Sequence, residues 1–154
     1  MKGRLYVSAQ AVLIAALVLA PRWADAWSVS VPVTIAGWCV AALGVGLLAV
    51  AFPQLGRALS PLPEPRADGE LTTSGLYRWV RHPIYSGVLA MAWGWTLAHL
   101  SWLTVVVAVA LTLLLNAKAR YEEGLLSERY PDYAAYSRHT PRFVARPWRR
   151  SERA

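Results

Sequence analysis

Four long apolar runs are the feature of this sequence that most constrains its fold. They cover residues 5–20, 31–52, 83–100 and 102–115, and polar or proline-containing connections separate them. A helix needs about 20 apolar residues to cross the hydrocarbon core of a bilayer, so the second run is long enough and the others are short. The pattern predicts an all-α integral membrane protein, a helical bundle with about four transmembrane helices and a cytoplasmic C-terminal helical extension.

The overall composition agrees with a membrane location. The 154 residues are 56% hydrophobic and include eight tryptophans, with a formal net charge of +7. A basic chain can bind nucleic acid, but these basic residues flank the apolar runs, which is typical of membrane topology. We therefore expect contact with membrane lipid and no nucleic-acid partner. The single cysteine, Cys39, lies inside an apolar run, so no disulfide is expected within the chain.

The first apolar run has two interpretations. Lys2 and Arg4 precede it and the sequence Ala-Asp-Ala follows at residues 24–26, which is also the pattern of a signal peptide with its cleavage site. We expect the run to be retained as a membrane anchor, because further apolar runs follow it. The mass of the mature protein would distinguish retention from cleavage.

The distribution of basic residues predicts the orientation of the chain. With four spans and a cytoplasmic N-terminus, the four arginines of residues 57–81 and everything after residue 115 lie inside, whereas Arg22 alone lies outside. Both termini are then cytoplasmic. We expect a single domain over residues 1–154, divided into two N-terminal spans (1–52), a cytoplasmic loop (53–82), a helical hairpin with its extension (83–142) and a basic tail (143–154).

Polar residues concentrate in residues 75–87, directly before the third apolar run. Proline is favoured at the first position of a helix, so Pro83 predicts a helix start with His82 as the capping residue. The unpaired N–H groups and the dipole of such a helix start favour an anion. Arg78 and Arg81 add positive charge nearby. The segment therefore predicts an anion-binding corner at the surface of the membrane.

A second polar cluster follows the fourth apolar run. If the helix continues past the bilayer, Asn116, Arg120 and Glu123 share one face at positions i, i+4 and i+7. A hairpin of the third and fourth helices would bring both clusters together on the cytoplasmic side. That position suits an enzyme that joins a water-soluble donor to a membrane-dissolved acceptor. No histidines or cysteines stand at metal-ligand spacing, so no metal site is expected.

Both clusters contain ordered motifs. Residues 81–87 read Arg-His-Pro-Ile-Tyr-Ser-Gly, preceded by Gly-Leu-Tyr at residues 75–77, and residues 120–123 read Arg-Tyr-Glu-Glu. The later segments 130–136 and 140–142 complete the pattern. Over about residues 71–142 the chain resembles the isoprenylcysteine carboxyl methyltransferase family, whose signature is Arg-His-Pro-x-Tyr-x-Gly and whose wider group includes phospholipid N-methyltransferases.

The resemblance implies methyl transfer from S-adenosylmethionine to an acceptor embedded in the membrane. It also implies that the two motifs together form the cofactor pocket. A cation from Arg81 or Arg78 would help the free amides at the helix start to bind the cofactor carboxylate. The expected cofactor-binding residues are Tyr77, Arg81, His82, Pro83, Tyr85, Gly87 and either or both of Glu122 and Glu123, whose side chains point about 100° apart on a helix.

Two candidate catalytic residues follow from the possible acceptors. A carboxylate acceptor needs no base but needs a cation to orient it, for which Arg120 is the candidate. An amine acceptor must lose a proton, and Glu123 is the candidate base. We expect a carboxylate on a lipophilic small molecule or prenylated acceptor. The alternatives are N-methylation of a phospholipid or lipid amine and a non-catalytic membrane scaffold or lipid-binding protein, and the oligomeric state is not predicted.

Overall fold

The structure is a computed structural model that describes residues 2–56 and 70–145. Within these ranges the chain forms helices and no β-strand, which confirms the expected all-α fold. Most of the expected cytoplasmic loop (57–69) and of the basic tail (146–154) lies outside the described residues. The α-helices are α1 (Lys2–Leu19), α2 (Val31–Leu55), α3 (Pro83–Ala98), α4 (Trp102–Arg129) and α5 (Tyr133–His139), with short 3₁₀ helices at Ala20–Arg22 and Gly75–Arg78.

Three helical segments of the described chain are long and apolar enough to cross a bilayer, namely Lys2–Arg22, Val31–Leu55 and Trp102–Arg129. The remaining expected membrane helix, the third in chain order, is α3, which has only 16 residues. At 1.5 Å per residue α3 is about 24 Å long, which is less than the hydrocarbon core of about 30 Å. The 28 residues of α4 extend over about 42 Å, so this helix is long enough to project beyond that core.

The end of α2 differs from its expected position. The second apolar run ends at residue 52, but Pro53 lies in the last turn of α2 and the helix continues to Leu55. A proline so close to the C-terminus removes one backbone hydrogen bond and leaves few later turns to disturb. Gly56 follows Leu55 as the C-cap residue, and its φ of 48° lies in the left-handed region that glycine adopts readily.

The turn between α3 and α4 is fixed by a reciprocal cap. The Ser101 hydroxyl accepts a hydrogen bond from the Thr104 N–H at 3.2 Å, and the Thr104 hydroxyl accepts one from the Ser101 N–H at 3.0 Å. Such caps contribute about 1 kcal/mol, and both side chains here are buried. The predicted tight hairpin therefore forms, and the start of α3 lies near the end of α4.

Helices α2 and α3 pack through glycines. A Cβ atom added to Gly44 would lie 2.6 Å from the carbonyl oxygen of Gly87, and one added to Gly37 would lie 2.7 Å from that of Gly94. Small residues at such crossings let helix backbones touch, as is common in membrane proteins. These two contacts fix the height of α3 relative to α2, and so the position of the helix start at Pro83.

Helix α1 packs against α4 on the other side of the bundle. The Tyr6 and Tyr121 rings stack at 5.8 Å between their centroids. Further along, Leu17 of α1 joins Leu111 and Leu115 of α4 in the buried core. The pair α1–α4 and the pair α2–α3 meet mainly where α3 contacts α4. Many apolar side chains on the outer faces of α1 and α2 are exposed, as expected for helices that face lipid.

Candidate active site

An ion-pair network around Glu123 joins the start of α3 to the end of α4. Arg142 donates two hydrogen bonds to Glu123, from Nε to Oε1 at 2.9 Å and from Nη2 to Oε2 at 2.7 Å. His82 Nε2 lies 3.1 Å and Arg81 Nη2 3.5 Å from the same Oε1. Arg142 also donates to Asn116 Oδ1 at 2.8 Å, and hydrogen bonding to Glu123 raises its pKa. Both oxygens of this carboxylate, which is 12% exposed, are therefore occupied by protein cations.

The chain after α5 closes this network as a strap, residues 140–143. The carbonyl oxygens of Pro141 and Arg142 accept hydrogen bonds from the N–H groups of Arg81, at 2.9 Å, and His82, at 3.1 Å. These N–H groups precede the helix and would otherwise need another partner, since they lie before its first turn. The strap therefore holds the backbone that leads into α3 and presents Arg142 to Glu123.

Glu122 faces a different region from its neighbour. Its Oε2 accepts a hydrogen bond from the Tyr85 hydroxyl at 2.8 Å and lies 3.8 Å from His82 Nδ1. The His82 and Tyr85 rings stack in parallel with 5.1 Å between their centroids. The Glu122 side chain is 27% exposed. Of the two glutamates, Glu122 therefore faces the cavity described next, while Glu123 faces the strap.

A cavity of about 440 Å³ lies beside these residues. Its volume falls within the range of small-molecule sites, about 300–1,000 Å³. One wall is apolar and comes from α1 and α2, with Val7, Ile14 and Phe52 among its residues. The other wall is polar and comes from both sequence motifs and their neighbours, with Tyr77, Arg81, His82, Tyr85, Lys118 and Glu122.

Two buried polar atoms, each in a residue that lines the cavity, have no hydrogen-bond partner among the described residues. They are the hydroxyl of Tyr77, a residue that is 6% exposed, and Nε of Arg81. A buried donor without a partner costs free energy, so such groups are suited to a polar ligand. Burial also raises the pKa of Tyr77 above its ordinary value. The Tyr77 carbonyl accepts a hydrogen bond from the Tyr136 hydroxyl, and this bond ties the short helix Gly75–Arg78 to α5.

Three of the residues expected in the site lie elsewhere. Arg120 is exposed and does not line the cavity. Three residues from Glu123, it is rotated about 60° from it around the helix, enough to turn its side chain outward. Gly87 packs against Gly44 and Leu48 of α2 instead of lining the cavity. Glu123, as described above, lies in the strap network.

The remaining expected residues come together, and others were missed. Tyr77, Arg81, His82, Pro83 and Tyr85 all line the cavity, as does Glu122. The cation beside Asn116 and Glu123 is supplied by the strap and not by Arg120. The missed residues are Arg142, Lys118 and Gln10. Each had a signal in the sequence: Arg142 belongs to the Thr-Pro-Arg motif at residues 140–142, and Lys118 precedes Glu122 by one helical turn. Gln10 is a polar residue within an apolar run.

Fold and site together define a class of protein. It is a helical membrane protein in which a polar cavity at one end of the bundle has an apolar wall on its other side. The sequence model of a family described as phospholipid methyltransferase matches residues 32–133, a range that contains His82, Tyr85 and both glutamates. The chain belongs to the phospholipid methyltransferase family, which falls in the isoprenylcysteine carboxyl methyltransferase-like group. The resemblance noted from the motifs is thereby confirmed.

Two curated relatives carry names that concern metal resistance. The chain is 34% identical over 143 residues to the nickel-cobalt-cadmium resistance protein NccN of Alcaligenes xylosoxydans xylosoxydans, covering 88% of this chain and 60% of the relative. It is 33% identical over 109 residues to the cobalt-zinc-cadmium resistance protein CzcN of Cupriavidus metallidurans, covering 68% of this chain and 49% of the relative. The chain thus spans only about half to three fifths of these relatives. In residues 2–56 and 70–145, no three His, Cys, Asp or Glu side chains group to hold a metal ion.

Proposed function

We propose that this protein transfers a methyl group from S-adenosylmethionine to a lipophilic acceptor in the membrane, most favourably to a carboxylate. Family membership supports methyl transfer. The observation that carries the proposal is the cavity itself, since residues of both motifs share a polar wall opposite an apolar wall. A polar cofactor and an acceptor with a hydrocarbon chain could bind there side by side.

The residues on the polar wall fit the groups of this cofactor. Glu122 can accept from its ammonium or ribose hydroxyls, and Tyr85 already orients that carboxylate. Arg81 and the N–H groups of the first turn of α3 can bind its carboxylate. The unpartnered Tyr77 hydroxyl supplies a further buried donor. When bound, S-adenosylmethionine supplies an electrophilic methyl group.

In the proposed reaction, the protein aligns the cofactor with the acceptor and excludes water from both. An in-line displacement gains most from the orientation of its reactants, so rigid walls matter more than a general acid or base. His82 is held between the Tyr85 ring and Glu123, and the strap fixes Glu123. In this proposal Glu123 is a positioning residue. The role of the base, if an amine were the acceptor, passes to Glu122.

A second candidate is N-methylation of a phospholipid or another lipid amine. It is favoured by the position of Glu122, because a carboxylate on the cavity wall could bind an ammonium headgroup and accept its proton. The chemical stability of the product distinguishes the two, since a methyl ester hydrolyses in mild alkali and an N-methyl group does not. A non-catalytic scaffold, the third candidate, would show no saturable binding of S-adenosylmethionine.

The proposal also includes a multi-pass topology with the cavity and both termini in the cytoplasm. The basic residues around the apolar runs support it. A green fluorescent protein fused at the C-terminus should fluoresce, and alkaline phosphatase inserted after Asp25 should be active. The reverse pattern would place the cavity on the outer side and contradict this part.

The direct test is a labelled-methyl transfer assay on membranes that contain the protein, with the product identified. Wild type should label a lipid-extractable product. Glu122→Ala should lower the rate at least tenfold, whereas Gly124→Ala should not, because nothing lies within 4 Å of the added methyl group. Equal rates for wild type, Glu122→Ala and empty membranes would contradict the proposal.

The names of the relatives suggest one cellular setting. We propose that any contribution of this protein to metal tolerance proceeds through methylation of a membrane component. Cells that depend on the chain for growth in cobalt or cadmium should then lose that growth with Glu122→Ala and keep it with Gly124→Ala. Full growth with Glu122→Ala, in cells shown to lack methyl transfer, would separate tolerance from catalysis.

A further inference from the structure

Lys118 is buried and makes no ion pair among the described residues, although the carboxylate of Glu122, one helical turn away, acts on it electrostatically. The residue is 5% exposed, and its ammonium donates a hydrogen bond to Gln10 Oε1 at 2.9 Å. The same Nζ lies 5.1 Å from the centroid of the Tyr85 ring. The ion pairs found among the described residues centre on Glu122 and Glu123, and none of them includes Lys118. An anion is therefore the complementary ligand for this position.

The neighbours of Lys118 compensate for only part of the free energy that burying an ammonium group costs. An ammonium has three N–H donors, and Gln10 accepts from one of them. An amide oxygen and an aromatic face stabilise a cation less than a carboxylate does in a buried site. Lys118 also lies on the cavity wall, one helical turn before Glu122. A ligand in the cavity can therefore reach its remaining donors.

An apolar groove lies beside the cavity, within the bundle. It has a volume of about 280 Å³ and is lined by apolar side chains of α1 to α4, including Leu17, Ala92 and Leu111. Ile14 lines both the cavity and the groove, so the two spaces adjoin. Leu111 lies seven residues before Lys118, about 10 Å along the helix axis. A molecule with an anionic head at Lys118 could thus place a hydrocarbon chain in the groove.

We propose that Lys118 and Gln10 form the subsite for the acceptor carboxylate, with the acceptor chain lying in the apolar groove. This inference rests on the proposed methyl transfer and assigns to Lys118 the orienting role expected of Arg120. Lys118 acts as a specificity-determining residue. Because esterification removes the negative charge, the subsite holds the acceptor more tightly than the methylated product.

The test compares two probes that differ in one charge, N-acetyl-S-farnesylcysteine and its methyl ester. Their affinities for the purified full chain in detergent micelles are measured by calorimetry. Wild type should bind the acid at least tenfold more tightly than the ester, as a charge-assisted hydrogen bond implies. Lys118→Met should bind both equally, with its affinity for the ester within about twofold of wild type.

Two variants serve as controls. Arg120→Ala should keep the preference for the acid, and Lys118→Arg should keep most of it because the charge remains. If Lys118→Met fails to fold, Gln10→Leu tests the subsite from α1 and should reduce the preference at least threefold. An unchanged preference in Lys118→Met, or in Gln10→Leu in its place, overturns the inference, as does a wild type that binds neither probe or shows no preference.

The outcome is separable from that of the proposed function. S-adenosylmethionine binding is measured on the same preparations. A wild type that binds the cofactor but shows no preference for the acid contradicts the subsite alone. A wild type that prefers the acid but does not bind the cofactor contradicts methyl transfer and leaves the anion subsite intact.

Discussion

Two neighbouring glutamates belong to regions of opposite character. Glu123 lies in a closed network, where Arg142, Arg81 and His82 surround both of its oxygens. Glu122 lies on a cavity wall, where Tyr85 is its hydrogen-bond donor and further donors nearby have no partner within the described chain. The comparison teaches that the ion-pair network around Glu123 holds the fold in place, while the cavity wall around Glu122 is the part suited to a ligand.

The largest expected effect comes from breaking the closed network. Glu123→Ala would leave two arginines and a histidine without their shared partner, so we expect a loss of about 3 kcal/mol in stability. The melting temperature in detergent micelles should fall by several degrees, and cofactor affinity should weaken because His82 loses its support. A melting temperature equal to that of wild type would show that the network does not hold the fold.

The open wall should respond in the opposite way. Glu122→Ala removes a partly exposed carboxylate whose only described ion-pair contact is His82, at 3.8 Å, so its melting temperature should stay close to wild type. Its affinity for S-adenosylmethionine should fall about tenfold to a hundredfold, since a charged hydrogen bond is lost. Calorimetry on the same samples, with Gly124→Ala as the matched control, checks both quantities. A large loss of stability without a loss of affinity would reverse the comparison.

A smaller effect is expected from the unpartnered hydroxyl. Tyr77→Phe removes a buried donor that bonds to nothing in the described chain, so stability should be unchanged or slightly higher. Affinity for the cofactor should fall about fivefold if that hydroxyl binds it, as the loss of one neutral hydrogen bond implies. Unchanged affinity would remove Tyr77 from the proposed site.

The smallest effect is expected outside both regions. Arg120 is exposed on the outer side of α4. Arg120→Ala should therefore change turnover by less than about twofold, and the melting temperature by less than about one degree. The labelled-methyl assay and a thermal melt check this. A tenfold loss of turnover would return Arg120 to the orienting role that its place in the motif first suggested.

The sequence predicted the helices well, because hydrophobic runs and helix-breaking residues are local signals. Pro83 starts α3 as expected, and the hairpin brings both motifs to one end of the bundle. The second apolar run ends before Pro53, but α2 does not, since a proline in the last helical turn is tolerated.

The site was predicted only in outline. Its motifs named most of the polar wall, but which side chains meet across the bundle depends on packing between distant segments. Gln10 and Lys118 are 108 positions apart, and Arg142 reaches Glu123 through a strap that follows another helix. Neither pairing follows from residue spacing on one helix. Likewise, the place of Gly87 in the motif does not reveal that it packs against α2 and not against the cavity.

The glycine crossings of α2 and α3 have a consequence for how lipid reaches the cavity. Where backbones touch, no side chain lies between the helices that could rotate to let them part, so we expect α2 and α3 to stay packed together. Helix α1 packs on α4 and barely contacts α2 in the described chain. The seam between α1 and α2 has few close contacts, so we expect the proposed lipophilic acceptor to enter the cavity from the bilayer there.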